Sequence, residues 1–138
     1  MPDMNSSHDH DLAVSRLASD RQVAIEAASS RFASARYQQL TAWRASVALT
    51  EQRMAVAADA YNRLPAERPT DEDGAKAYDA TVAEHVAARA ALDALSDAGQ
   101  PDGKALRDQL DADIRAADAA FNTALAAAST DRGSPCAR

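Results

Sequence analysis

From Asp9 to Leu64 the chain runs 56 residues without a proline or a glycine. Those two residues are the usual means of breaking or ending a helix, so their absence constrains the fold more than any other feature. The stretch predicts one very long helix, roughly 84 Å at about 1.5 Å per residue.

Its apolar residues form a seam: Val14, Ala18, Ile25, Ala28, Phe32, Ala35, Trp43, Val47, Met54, Ala57, Tyr61 and Leu64, with Arg21, Gln39 and Thr50 completing the series. The positions step by four and three in alternation, the heptad pattern that keeps one helix face against a partner. Between Phe32 and Trp43 an eleven-residue unit interrupts the heptads, which relaxes a left-handed supercoil locally. Ser29, Ser30 and Ser34 cluster around its start, within Ala28 to Ala35. Their hydroxyls can bond back to the helix, so a gentle bend is expected over 29–35.

Two prolines, Pro65 and Pro69, close this helix and define a linker over 65–70. Thr70 with Asp73 three residues on approximates a capping box and opens a second helix over 71–98. Tyr78, Val82, Val86, Leu92 and Leu95 are its inward positions, and Gly99 is its left-handed stop. A third helix spans 101–129, with Leu106, Leu110, Ile114, Ala117, Phe121, Leu125 and Ala128 in two eleven-residue units, the period of a nearly straight helix. Both are about 28 residues, half the first. The short turn between them predicts an antiparallel hairpin.

The expected fold is therefore all-α and elongated: one long N-terminal helix plus the hairpin, in coiled-coil or three-helix-bundle packing. Residues 36–64 would pack with the hairpin while 9–35 projects and pairs with another copy. Residues 1–8 and 130–138 read as flexible ends. On exposed faces, Arg16 with Asp20, Asp59 with Arg63, Glu72 with Lys76 and Asp111 with Arg115 have the spacing of helical ion pairs.

Composition explains why a partner is expected. Of 138 residues 36 are Ala, whereas Leu, Ile, Val and Phe together number 20. Alanine favours helix because it loses no side-chain entropy on ordering, but it buries little. A lone copy would be marginal, and self-association is the remedy. The net charge is −6, all of it in the second half: residues 1–64 carry seven acids and seven bases, residues 65–138 fourteen acids and eight bases. That balance argues against nucleic acid as a partner. The excess of Ala, and of Arg over Lys, suggests a GC-rich bacterial or phage source.

The stretch from Ala27 to Thr50 has no acid but holds three arginines and three of the six aromatic residues. Arg31, Phe32, Arg36, Tyr37, Trp43 and Arg44 are of the types that dominate interface energetics, and form the candidate partner-binding surface. The competing reading puts Phe32 and Trp43 in the core and pairs the arginines with the acidic second half.

His8-Asp9-His10-Asp11 places ligand-capable side chains at alternate positions, an arrangement that would hold a divalent ion only in an extended segment. Glu84 lacks the histidine three residues on that a di-iron bundle uses, and His85 reads as a seam residue. No phosphate loop or nucleophile motif occurs, so no catalytic residue, metal site or cofactor is assigned and the chain reads as non-enzymatic. Cys136 alone allows no intrachain disulfide. With no leader-like or membrane-spanning run, the expected location is the bacterial cytoplasm or an assembled particle.

Long Ala-rich amphipathic helices of this kind resemble those of phage structural and assembly proteins and of the phasins that coat polyester granules. The resemblance is one of length and composition, carried by no motif. It implies a structural or assembly component that forms homo-oligomers or binds other protein subunits. The phasin likeness implies instead an amphipathic coat on an apolar surface, and a metal-binding helix bundle is the third reading.

Overall fold

A computed structural model of the chain describes residues 2–133, with side chains from 7 to 130. All the regular structure in that range is helical: α1 (Pro2–Asn62), α2 (Glu72–Ala98) and α3 (Lys104–Gly133). The helices pack against one another, α1 with α2 and α1 with α3, as in a helical bundle. None is long and apolar enough to cross a membrane among the described residues.

The long helix is unbroken and starts earlier than expected. Residues 2–8, read from sequence as loose, are helical, and Pro2 sits at the opening, where a missing N–H costs nothing. At the other end Arg63 and Leu64 donate their N–H groups to Ala60 and Tyr61 at 3.2 and 3.1 Å. These three-residue bonds tighten the last turn before Pro65 forbids another. Likewise α3 continues to Gly133, four residues beyond the predicted boundary. Cys136 lies outside the described residues.

The chain divides into two compact units that share α1 between them. One joins the chain through Arg36 to the chain from Gly103 onward; the other is Tyr37–Asp102. Thus α2 and α3, expected to close on each other as a hairpin, belong to different units, and each is paired with its own part of α1. The stretch 9–35 does not project bare, because α3 covers its seam. The physical reason is in the lengths: α1 has about twice the seam of either partner, and a hairpin would leave half of it wet.

In the first unit α1 and α3 are antiparallel, for rising numbers on one meet falling numbers on the other. Arg21 Nε donates to Asp118 Oδ1 at 2.6 Å, and Arg31 forms a looser ion pair with Asp113 at 3.5 Å. Further along, the Arg36 guanidinium lies over Gly103, where a Cβ would stand 3.0 Å from it. Gly103 also has a φ of 69°, so both the backbone and the close approach call for glycine. The predicted α3 seam is recovered in full: Leu106, Leu110, Ile114, Ala117, Phe121, Leu125 and Ala128 are all partly buried.

In the second unit the linker turns α2 back along α1. The cap is Asp71 rather than Thr70: its carboxylate accepts from the Gly74 N–H at 2.8 Å. Aspartate at that place satisfies a donor that the helix leaves free. Arg68 then clamps the linker to α2, with Nε and a terminal nitrogen on the two Asp79 oxygens at 2.9 and 2.7 Å. Gly99 ends α2 as expected, with a φ of 68° and its N–H on the Leu95 carbonyl at 3.0 Å. Tyr78, His85 and Leu92 with Thr81, Ala88 and Leu95 give a heptad seam, so Val86, read from sequence as inward, is one residue off it and exposed. His85 takes that place and stacks on Tyr61, ring centroids 4.3 Å apart.

Most of the α1 seam is partly buried, Ala18 and Tyr61 being its exposed members. Yet the buried hydrophobic side chains among the described residues are four, and all are alanine: Ala28, Ala57, Ala75 and Ala88. Alanine lets two backbones approach closely but removes little apolar surface from water. Of the anticipated helical ion pairs, Asp59 with Arg63 is formed at 3.0 Å, and Lys104 with Asp108 adds one at 2.8 Å.

The start of α2 gives a direct test. A Cβ on Gly74 would stand 2.7 Å from an Asp71 carboxylate oxygen and 2.9 Å from Pro69 Cβ. Gly74→Ala should therefore lower the thermal midpoint, although alanine is favoured over glycine within helices by about 1 kcal/mol. Asp71→Ala should cost about 1 kcal/mol through the lost cap. In the Asp71→Ala background the penalty of Gly74→Ala should shrink, because one of its two clashes is gone; denaturant titration of the four proteins measures this.

Candidate functional site

The six residues singled out from sequence fall three to each unit. In the first, Arg31 reaches the acidic α3 through Asp113, Arg36 covers Gly103, and Phe32 is half-buried beside Ala28, Leu106 and Leu110 in a shallow groove. These three serve packing and pairing between α1 and α3. In the second, Tyr37 is exposed at 71% and Arg44 is exposed. Trp43 is half-buried in the seam, its Nε1 enclosed with no hydrogen-bond partner in the structure.

A groove of about 520 Å³, not anticipated from the sequence, lies in the second unit between α1 and α2. Leu49, Val56 and Ala60 form its α1 wall, Ala80 and Thr81 stand on α2, and Ala57 lies at its floor. Leu49 and Val56, two turns apart on the same face of α1, are 66% and 65% exposed. A signal was available. The two lie seven apart and two residues past Val47 and Met54, so a second apolar heptad stripe runs on a face of α1 well round from those seam residues.

Charge enters the groove only as a matched pair. Arg53 Nε and a terminal nitrogen reach the two Glu84 oxygens at 2.6 and 3.1 Å, a bidentate bridge from α1 to α2. The hydrogen bond, and then the charge, of Arg53 hold the Glu84 carboxyl below its ordinary range, and Glu84 raises the guanidinium in return. Arg68 acts in the same way on Asp79.

No group of three or more metal-ligating side chains occurs among the described residues. The alternation His8-Asp9-His10-Asp11 lies within α1, where residues two apart point to opposite sides, so the extended grip imagined for it is not formed. The surface can hold apolar side chains by shape; the residues lining it offer no nucleophile paired with a base.

Two outcomes are expected. Carboxyls with lowered pKa add stability that is complete above the unfolded range near pH 4 and is lost as the pH falls through the folded value. Urea midpoints should therefore be level from pH 5 to 7 and drop below about pH 4, with Glu84→Gln and Asp79→Asn together flattening the drop. Separately, Trp43→Phe keeps most of the ring packing and removes an orphan donor, whose burial costs about 1 to 3 kcal/mol. The thermal midpoint should hold or rise; a clear fall would mean that the indole N–H has an acceptor in solution. Comparison with known proteins brings no match: no family model, no curated protein and no solved structure is significantly similar to this chain.

Proposed function

We propose that the chain is a non-enzymatic helical component that works by self-association, a structural or assembly element of a larger bacterial or phage complex. The observation that supports this most directly is the inversion of its burial. The enclosed hydrophobic side chains are alanines, while Leu12, Val23, Tyr37, Leu49, Val56, Tyr61 and Val86 are 42% or more exposed.

The surface area carries the same message. The chain exposes 10031 Å². A monomer of 14.6 kDa with one well-filled core exposes about 6,900 Å² by the usual scaling with mass. The surplus, about 3,000 Å², exceeds the roughly 800 Å² per partner that a stable interface of standard size covers. Two helices in contact hide one face each, and further copies are the simplest cover for the remainder.

Sedimentation equilibrium from about 1 to 200 μM tests this. The expected result is a mass above 14.6 kDa that rises with concentration, with a thermal midpoint that rises in step because association stabilises the folded chain. A single 14.6 kDa species throughout would overturn the proposal.

A further inference from the structure

The geometry points to the groove between α1 and α2 as the seat of a second copy of this chain, joined about a two-fold axis through the Leu49 and Val56 ridge; this rests on the self-associating reading above. A symmetric contact requires a surface that is its own complement. The groove meets that condition residue by residue. Leu49 and Val56 are large and project, while Ala57, Ala60 and Ala80 beside them are small. One copy's ridge can enter the space left by the other's alanines, the knob-and-hole relation of packed helices.

Electrostatics favours the same face over the rest of the unit. Residues 37–102 hold eleven acids and six bases, a net charge of −5, so most faces of the unit would repel their own copy. Arg53 and Glu84 are the charged residues that line the groove, and each is matched by the other in the same chain. Closing a second copy over them buries a neutral pair with its hydrogen bonds made, and leaves no charge to find a new partner. A basic helix from another protein would instead be drawn to the unit's unpaired acidic excess rather than to a groove whose two charges already neutralise each other.

The experiment compares the native chain with Leu49→Glu/Val56→Glu, with Ala80→Trp and with Leu12→Glu/Val23→Glu, each by sedimentation equilibrium and circular dichroism. Leu49 and Val56 are exposed in the single chain, so its helicity should persist in the first variant while the dimerisation Kd rises at least 100-fold. Ala80→Trp fills the groove from within the chain and should weaken dimerisation by the same route without adding charge. The Leu12 and Val23 variant alters exposed residues of the other unit, and its Kd should stay within about threefold of native. If both groove variants dimerise like the native chain, the groove is not the contact, although self-association stands. If the native chain is monomeric at every concentration, the reading beneath this proposal fails as well.

Discussion

Two helices that meet along one stripe can hide that stripe and no more, and here the stripe is closed by alanine. Ala28 between α1 and α3, and Ala57, Ala75 and Ala88 between α1 and α2, are the points of tightest enclosure. Their small side chains bring the backbones together, which is favourable for dispersion. They also cap what each pair can gain from leaving water, since the larger side chains, Phe32, Trp43, Leu110 and Phe121 among them, remain only partly covered. Everything else about the chain follows from helices that form readily and are held weakly.

Weak apolar attachment places the choice of partner and direction on polar contacts. The even charge of the first 64 residues and the acidic excess of the rest resolve into pairs between helices within each unit: arginines 21, 31 and 53 come from α1, and their acids, Asp118, Asp113 and Glu84, come from α3 and α2. These pairs are partly exposed, and such bridges contribute little stability each. What they do is discriminate. A slipped or parallel arrangement would set arginine against alanine and leave these acids without their partners. The Arg68 clamp and the Asp71 cap add the same kind of selection at the turn, fixing where α2 begins.

That division explains what could be read from the sequence. Helix existence, the two α3 repeats, the heptad seam of α1 and the Gly99 stop are local properties, set by propensity, spacing and one backbone angle. Which seam meets which is not local. A short turn between two equal helices suggests a hairpin, and only contacts such as Arg21 with Asp118, 97 residues apart, select the other arrangement. The misses of detail have the same origin. His85 is legible as a seam residue, whereas Val86, its neighbour about 100° round the helix, reads as inward on hydrophobicity alone and is exposed. Thr70 and Asp71 are both good caps, and the linker clamp decides between them. The groove was not legible because Leu49 and Val56 lie away from the heptad seam, and only the fold of α2 onto α1 makes them part of a concavity.

On the self-associating reading proposed above, folding and association in such a chain are one equilibrium rather than two. If each unit gained enough by itself, its outer aliphatic residues would be free to be polar, as on any exposed helix face. Leu49 and Val56 are not polar, and they stand where the pair of helices leaves a trough rather than on a convex back. A copy seated in the trough, as proposed above, would cover them, and then the free energy that closes it would also hold α2 on α1. In this view the long helix acts as the common wall: it gives its seam to α2 and α3, and the flank that those helices cannot reach to its neighbour in the assembly.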